Sequence, residues 1–141
     1  MTTTDPSTQD TDLRRRGHNV MHEILGRAGM PSRPPIGPDE EVPRRRDGKL
    51  ADEAVEIGFV NVWAQLWDRE GLSHRDRSLV TLGILIALGA EDELASHVKI
   101  GLGNGLTREE IAEVIYHSSG YAGFPRAMGA RKAARHALGE T

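Results

Sequence analysis

The stretch SHRDRSLVTLGILIALGAEDEL, residues 73–94, decides the fold class of this chain. Its central part, 78–89, is apolar nearly all round, a pattern that fits either a buried helix or a buried strand. The length of this run and its Leu and Ala content favour a helix. Ser73 is suited to the N-cap position, and Asp76 to the positively polarised first turn. We therefore predict an all-α fold in which this helix is central.

Helical signals continue on the C-terminal side of this stretch. A fourth helix is predicted over 90–101, with three acidic residues in its first turn. Thr107 and Glu110 form a capping box that opens a fifth helix, and Pro125 suits the first turn of a sixth. The segment GLGNG, 101–105, follows a helix and lacks the full G-x-G-x-x-G spacing. It is therefore interpreted as a helix stop and not as a phosphate-binding loop.

Two further helices are predicted on the N-terminal side, where apolar residues recur at helical spacing over 13–28 and again over 50–69. Between them, 31–49 contains five of the seven prolines and two charge runs, which predicts a long connector on the surface. Residues 1–12 contain almost nothing that can be buried and are predicted to be a disordered tail. The remainder, 13–140, is predicted to be one domain.

Composition restricts the classes of function. The 141 residues include no cysteine, which excludes disulfides, cysteine-ligated metals and thiol catalysis. The formal net charge is −3, so no basic excess points to nucleic acid. The longest apolar run is too short to span a membrane, and the N-terminus lacks a secretory signal pattern. We expect a cytoplasmic protein without nucleic-acid or membrane partners. A helix that is apolar all round indicates that subunit packing covers one side of it.

Glu93 and His97 are four residues apart and would share one face of the predicted fourth helix. The simplest interpretation of the pair, considered alone, is an exposed ion pair. It is a weak metal signal, because a structural zinc site takes four protein ligands and a catalytic one about three. No spacing adds His117 to such a set, so no metal is predicted.

Two more groups of side chains are candidates for ligand contact. His117 and Tyr121 are again i,i+4 and precede a Gly-rich break. That arrangement fits either a helix end with a core aromatic residue or a backbone that bends beside a ligand. Arg75 and Arg77 open the apolar helix, where each could pair with an acid such as Asp76 or hold a substrate carboxylate.

Five motifs follow one another in a fixed order along the second half of the chain. They are W-D-R-x-G-L from Trp67, R-S-L-V-T-L from Arg77, E-L-x-x-H from Glu93, N-G-x-T-x-E-E-I-x-E-V from Asn104 and Y-x-G-x-P from Tyr121. As a set they resemble the carboxymuconolactone decarboxylase family. With RRGHNVMHEILG, 15–26, as the counterpart of that family's first helix, the resemblance covers about residues 14–138.

The resemblance implies an alkylhydroperoxidase D-like bundle of about six helices that assembles into a ring, a trimer or a hexamer. Peroxidase members of that superfamily use Cys-x-x-Cys followed by His. Here Ala90 and Glu93 stand at the two cysteine positions and His97 at the histidine position. Because a chain without thiols cannot perform that redox chemistry, the resemblance favours the decarboxylase branch.

For that branch, the resemblance implies conversion of γ-carboxymuconolactone to the β-ketoadipate enol-lactone and CO₂ in aromatic-compound catabolism, with no cofactor. Loss of CO₂ leaves a dienolate that needs a hydrogen-bond partner and a proton. His97 is the expected general acid, and Glu93 is expected to raise its pKa toward the working pH. His117 and Tyr121 are candidates for the oxyanion donor or a second proton carrier.

The same reasoning assigns substrate contacts. Arg75 or Arg77 is expected to anchor a substrate carboxylate. Trp63 and Trp67 are expected to wall the pocket, although core packing is the simpler role for at least one of them.

The sequence departs from the family pattern after Y-x-G-x-P, where RAMGARKA replaces the usual small residues. Arg126, in this segment, would change what fits at a pocket mouth. The first alternative is therefore an enzyme of this fold retargeted to another lactone or keto acid in a biosynthetic pathway. The second is a non-catalytic oligomeric binding protein that uses the Arg runs 14–16 and 44–46 for an anionic partner.

Overall fold

The computed structural model describes residues 6–140 and shows helices and, in that range, no β-strand. The elements are α1 (Pro6–Arg27), α2 (Glu53–Gly58) continuing as a π-helix (Phe59–Trp67), α3 (His74–Leu88), α4 (Glu91–Gly103), α5 (Arg108–Ala122) and α6 (Phe124–Ala137). The predicted all-α class is confirmed, and so is the choice of helix over strand for the apolar run in α3.

The helix ends follow from local side chains, as predicted. The Ser73 hydroxyl accepts a hydrogen bond from the Asp76 N–H at 3.0 Å and caps α3. Thr107 and Glu110 form the reciprocal capping box that begins α5. Pro125 lies in the first turn of α6. These caps fix where each helix of the second half of the chain begins.

The start of α1 corrects the prediction for the N-terminal segment. The helix includes residues 6–12, which were predicted to belong to a disordered tail, whereas 1–5 lie outside the described residues. Proline suits the first turn of a helix because the N–H it lacks would have no helical partner there. Asp12 adds an ion pair with Arg15 at 2.8 Å. These local effects require no burial, so the absence of apolar residues did not prevent a helix.

The chain divides into two compact units. Of the described residues, the first unit comprises 6–23 together with 31–71, and the second comprises 24–30 together with 72–140. In the first unit, the connector 31–49 contains no helix and lies along α1, where Asn19 pairs with both backbone groups of Ile36 at 3.0 and 2.8 Å.

The second unit is a bundle in which α3, α4, α5 and α6 enclose an aliphatic core. Burial of each large aliphatic side chain there contributes roughly 1.5–3 kcal/mol. Alanines provide the contribution of α6, so this helix can approach its neighbours closely. The core consists of Leu82, Ile86, Leu94, Val98, Leu106, Ile111, Ala130, Ala133 and Ala134.

Only part of the apolar surface of α3 faces this core. Val80, Ile84 and Leu88 recur every fourth residue and are 53%, 54% and 67% exposed. They form one apolar stripe, which we call the α3 stripe. No helix within residues 6–140 has the length and apolar character needed to cross a bilayer.

Candidate active site

Glu93 and His97 lie one turn apart on α4, as their spacing predicted. Leu94, three residues before His97, and Val98, the next residue, are both buried in the core. His97 therefore lies at the edge of that core. The imidazole is partly buried, and its Nδ1 atom is fully buried, whereas Glu93 is exposed. The pair therefore has its carboxylate on the solvent side and its imidazole on the protein side.

Burial lowers the pKa of His97 below its ordinary value of 6.5, and the Glu93 carboxylate, which acts to raise it, offsets only part of this. Desolvation disfavours the imidazolium form, and here it exceeds the attraction of an exposed carboxylate. The expectation that Glu93 brings the pKa of His97 up toward working pH is therefore wrong in its net direction. In the free chain His97 is mainly neutral at pH 7.

Arg75 and His117 line one groove between α3 and α5, with a volume of about 580 Å³. Leu79 and Val114 form an apolar wall in the same groove, and the exposed Glu113 also lines it. An apolar groove with a few converging polar groups is the usual form of a small-molecule site. Two of the predicted site residues thus face a common space.

The Arg75 guanidinium is engaged by acids of the protein. It forms an ion pair with Glu110 and lies 3.5 Å from a carboxylate oxygen of Asp76. Arg75 therefore pairs with acids of its own chain and also lines the groove. A substrate carboxylate would have to compete with Glu110 for it.

His117 and Tyr121 lie side by side near the end of α5. Their ring centroids are 5.1 Å apart with planes inclined by 35°. Tyr121 is 85% exposed, which excludes the interpretation of this residue as a core aromatic. The helix continues through Gly120 and ends at Ala122, with Gly123 as its C-cap. An imidazole and a phenol are therefore presented together at the surface.

Arg126 occupies a different place, at the turn between α3 and α4. Its guanidinium lies directly over Gly89, and it lines a cavity of about 180 Å³ that Glu91 and Leu94 also line. Cations are favourable beside the last turn of a helix, which explains its position after α3. Because Leu94 is the next residue after Glu93, this cavity lies beside the first turn of the helix that carries His97.

The remaining predicted site residues are Arg77, Trp63 and Trp67. Arg77 is half-buried on α3. Trp63 and Trp67 belong to the first unit and stack with ring centroids 5.7 Å apart. Trp67 is 4% exposed, so core packing is its role, in agreement with the expectation that at least one tryptophan would be structural.

Sequence reasoning did not single out the acidic residues that line these cavities, among them Glu113 and Glu91. Glu113 lines the α3–α5 groove one turn before His117, the same spacing as Glu93 and His97, and that repetition was a usable signal. Glu91 lines the Arg126 cavity, which only the packing of α6 could reveal. Across residues 6–140 no three His, Asp or Glu side chains are grouped as ligands for a metal ion.

Comparison with known proteins adds three relatives. The 4-carboxymuconolactone decarboxylase of Acinetobacter baylyi is 49% identical over 63 residues, 45% of this chain and 47% of that protein. The nitrosuccinic acid decarboxylase of Metarhizium robertsii is 41% identical over 63 residues, 45% of this chain and 44% of that protein. An uncharacterised 15.0 kDa protein of Paracoccus denitrificans is 33% identical over 89 residues, 61% of this chain and 66% of that protein. The chain spans slightly less than half the length of the two decarboxylases.

The family match is longer than the pairwise matches to the two decarboxylases. It runs over residues 53–136, from the first residue of α2 almost to the end of α6, and includes the Glu93–His97 pair and the α3–α5 groove. More than half of the chain is covered. The chain therefore belongs to the carboxymuconolactone decarboxylase family.

Proposed function

We propose that this protein is a cofactor-independent carboxy-lyase that acts on a small carboxylated lactone or related acid. The observation that carries the proposal is the partly buried imidazole of His97 one turn from Glu93, inside the segment that matches the family. Two relatives are named as decarboxylases of different acids, which supports the reaction class more strongly than any one substrate. We take γ-carboxymuconolactone as the first substrate and aromatic-compound catabolism as the corresponding role.

The proposed reaction makes two demands on the site. The bond between carbon and the carboxylate breaks, CO₂ leaves, and the electron pair moves through the ring double bond to the lactone carbonyl. The resulting dienolate oxygen needs a donor, typically worth about 3–4 kcal/mol. The carbon that gains the electron pair then needs a proton, and a placed general acid contributes about 10²–10⁴ in rate.

His97 is proposed as the source of that proton. Since burial keeps its pKa low in the free chain, the imidazole is mainly neutral before substrate arrives. A substrate carboxylate nearby would favour the imidazolium, as any close anion does. The proton would thus be taken up with the substrate, and Glu93 would help to hold it until transfer to carbon.

The α3–α5 groove is proposed to hold the rest of the substrate. Arg75 would exchange Glu110 for a substrate carboxylate, a geometry that its planar guanidinium matches. His117 or Tyr121 would donate to the dienolate oxygen. Arg77 and Arg126 remain candidates for a second carboxylate contact.

Self-association is part of the proposal. The α3 stripe exposes three large apolar side chains on one face of a helix whose other face is in the core. Soluble monomers rarely leave such patches uncovered. A second copy of the chain, in a trimer or a hexamer, would cover it.

The decisive experiment measures CO₂ release and loss of substrate absorbance with purified protein and γ-carboxymuconolactone. We expect turnover, and a loss of at least about 10²-fold in kcat for His97→Gln. His136→Gln is the matched control, since this histidine is exposed near the end of α6 and is expected to keep the wild-type rate. An unchanged rate in His97→Gln would remove His97 from the role of general acid.

The retargeted enzyme is the second candidate function. Arg126 beside its own cavity is the observation in its favour, together with a relative whose substrate is nitrosuccinic acid. Nitrosuccinate therefore belongs in the same assay. Turnover of nitrosuccinate without turnover of γ-carboxymuconolactone would change the proposed substrate but keep the proposed reaction, a decarboxylation. A folded protein that turns over neither compound would count against decarboxylation itself.

No observation favours the non-catalytic binding protein. Arg14, Arg16 and Arg46 of the two arginine runs pair with the carboxylates of Glu56, Asp68 and Glu53 in the same unit. We therefore do not propose that these runs bind an anionic partner.

A further inference from the structure

A third cavity lies between α5 and α6 and has no lining residue in common with the groove that contains Arg75 and His117. Its volume is about 190 Å³, and the buried side chains of Ile111 and Ala134 contribute to its wall. Its polar lining consists of Arg108, Tyr116, Arg131, Arg135 and Glu140. An apolar wall with three guanidinium groups around it is a chemically selective surface.

Glu140 reaches this cavity because of the way α6 ends. Gly139 has φ +70°, a left-handed conformation that glycine adopts without strain. The Glu140 N–H donates to the carbonyl of Arg135 at 2.9 Å, and the Gly139 N–H donates to that of His136 at 3.1 Å. These two bonds are the Schellman motif. They turn the chain back over the last turn of α6 and so bring the Glu140 carboxylate to the cavity.

The carboxylate then lies between guanidinium groups from two helices. One oxygen accepts a hydrogen bond from Nη2 of Arg108 on α5, and the other lies 3.5 Å from Nε of Arg135 on α6. Arg131, one turn before Arg135, lines the same cavity. The cavity lining thus contains three arginines and a single carboxylate of the protein, and it retains an excess of positive charge.

The contacts of Glu140 are of the kind that a ligand can displace. The side chains of Glu140, Arg108 and Arg135 are 42%, 53% and 39% exposed. Ion pairs at such exposure contribute little to stability, because water and salt screen them. Glu140 is therefore held in place by the backbone turn more than by the strength of its ion pairs.

We propose that the α5–α6 cavity is a binding site for a small dicarboxylate or tricarboxylate, and that Glu140 occupies the place of one ligand carboxylate when the ligand is absent. Arginine forks match planar carboxylates, and three of them suit a ligand that carries more than one. The apolar wall formed by Ile111 and Ala134 would contact the carbon skeleton, and the Tyr116 hydroxyl could donate a further hydrogen bond. This proposal is independent of decarboxylase activity.

The test is isothermal titration calorimetry of the full chain with citrate, with acetate and inorganic phosphate as comparison ions at equal ionic strength. We expect saturable binding of citrate, and tighter binding than for either comparison ion. Glu140→Gln removes the internal competitor and is expected to tighten citrate binding by about two- to fivefold, the range that an exposed ion pair allows. Arg131→Gln is expected to weaken it at least about tenfold, as for loss of a charged hydrogen-bond donor.

Glu109→Gln is the matched control, because it removes the same charge from an exposed position of α5 that does not line the cavity. Its effect on citrate affinity should stay below twofold. Circular dichroism of each variant checks that it folds. The proposal is overturned if neither wild type nor Glu140→Gln binds citrate saturably, if Glu140→Gln fails to tighten binding, or if Glu109→Gln tightens it equally. Because the readout is binding, a failure of the lactone assay would leave this result unaffected.

Discussion

At the scale of single residues, two opposing effects act on the pKa of His97, namely its burial and the carboxylate of Glu93. Burial lowers its pKa, and Glu93 opposes that effect from an exposed position. The spacing in the sequence was sufficient to place the two side chains side by side. It could not show which effect is larger, because the burial of His97 depends on how α4 packs against other helices.

Glu93→Gln tests this balance. Without the carboxylate the pKa of His97 should fall further, so less of the free enzyme carries the imidazolium at neutral pH. Because kcat/KM reports the protonation state of the free enzyme, its decline with rising pH should begin at lower pH. At pH 7 we expect kcat/KM to fall about two- to threefold, in line with an i,i+4 pair, and to match wild type at the acid plateau. Asp92→Asn is the control, and a profile displaced toward higher pH would contradict the role of Glu93.

At the scale of elements, a polar face of α1 holds the connector 31–49 in the first unit. Buried His18 approaches the Pro34 carbonyl through Nε2 at 2.7 Å and the Arg45 guanidinium through Nδ1 at 2.8 Å. Since a guanidinium can only donate, Nδ1 accepts and Nε2 carries the proton. Arg45 also lies over the ring of Phe59, 4.3 Å from its centroid. His18 is therefore required in its neutral form.

Low pH should break the contact between His18 and the Arg45 guanidinium. Burial lowers the pKa of His18 below 6.5, the Pro34 carbonyl acts to raise it, and Arg45, Arg33 and His22 lower it further. A histidine whose pKa is lower in the folded than in the unfolded chain binds its proton preferentially in the unfolded chain. The stability it contributes is present above about pH 6.5 and is lost as pH falls below that value.

We therefore expect the free energy of unfolding of the wild type, from urea titrations, to decrease between pH 7 and pH 5. His18→Gln retains a side-chain N–H donor but does not titrate, so its decrease over the same range should be smaller. His136→Gln, at an exposed position, should behave as wild type. Equal pH dependence in wild type and His18→Gln would show that another group is responsible.

The π-helix is the second feature at this scale, and it sets how closely α1 can approach. A Cβ atom on Gly17 would lie 2.5 Å from the Cα of Ala64, which is itself buried. Backbone atoms cannot move aside as a flexible side chain can. The helical periodicity of 50–69 predicted a helix there but could not show the change to π geometry over Phe59–Trp67, because both forms present apolar residues at similar spacing.

Gly17→Ala should consequently destabilise the first unit by about 1–3 kcal/mol, the usual cost of overpacking. The measurement is the urea midpoint at constant m-value. Gly26→Ala is a control on the same helix, since no atom lies within 4 Å of the added Cβ. It should be neutral or stabilise by up to about 1 kcal/mol, because alanine is the better helix former. Similar destabilisation by both would mean that the close approach to Ala64 is not the cause.

At the scale of the whole molecule, the elements that the sequence predicted best are those whose signals are local. The caps at Ser73 and Thr107 and the stop at GLGNG depend on residues within one turn of each helix end. The features it missed depend on packing. Arg126 over Gly89 and the exposure of Tyr121 follow from how α5 and α6 are placed, and no local pattern encodes that placement.

The α3 stripe is the surface through which we expect copies of the chain to associate. One face of α3 lies in the core of its own chain, and the stripe is the apolar face of the same helix that this core leaves exposed. Val80, Ile84 and Leu88 are all more than half exposed. If a second copy covers them, a charge at the central position must be desolvated on association, which is costly without a partner. Ile84→Glu should then shift the protein to a smaller species by size-exclusion chromatography with light scattering. It should retain its helical circular dichroism, since Ile84 is outside the core.

Gln65→Glu adds the same charge at an exposed position of the π-helix in the first unit and should leave the molar mass unchanged. If Ile84→Glu keeps the mass of the wild type over a dilution series, the stripe is not an intersubunit surface. Decarboxylase activity measured on the dissociated variant then separates two cases. A site contained in one chain would keep its rate, whereas a site completed by a neighbouring copy would lose it together with the assembly.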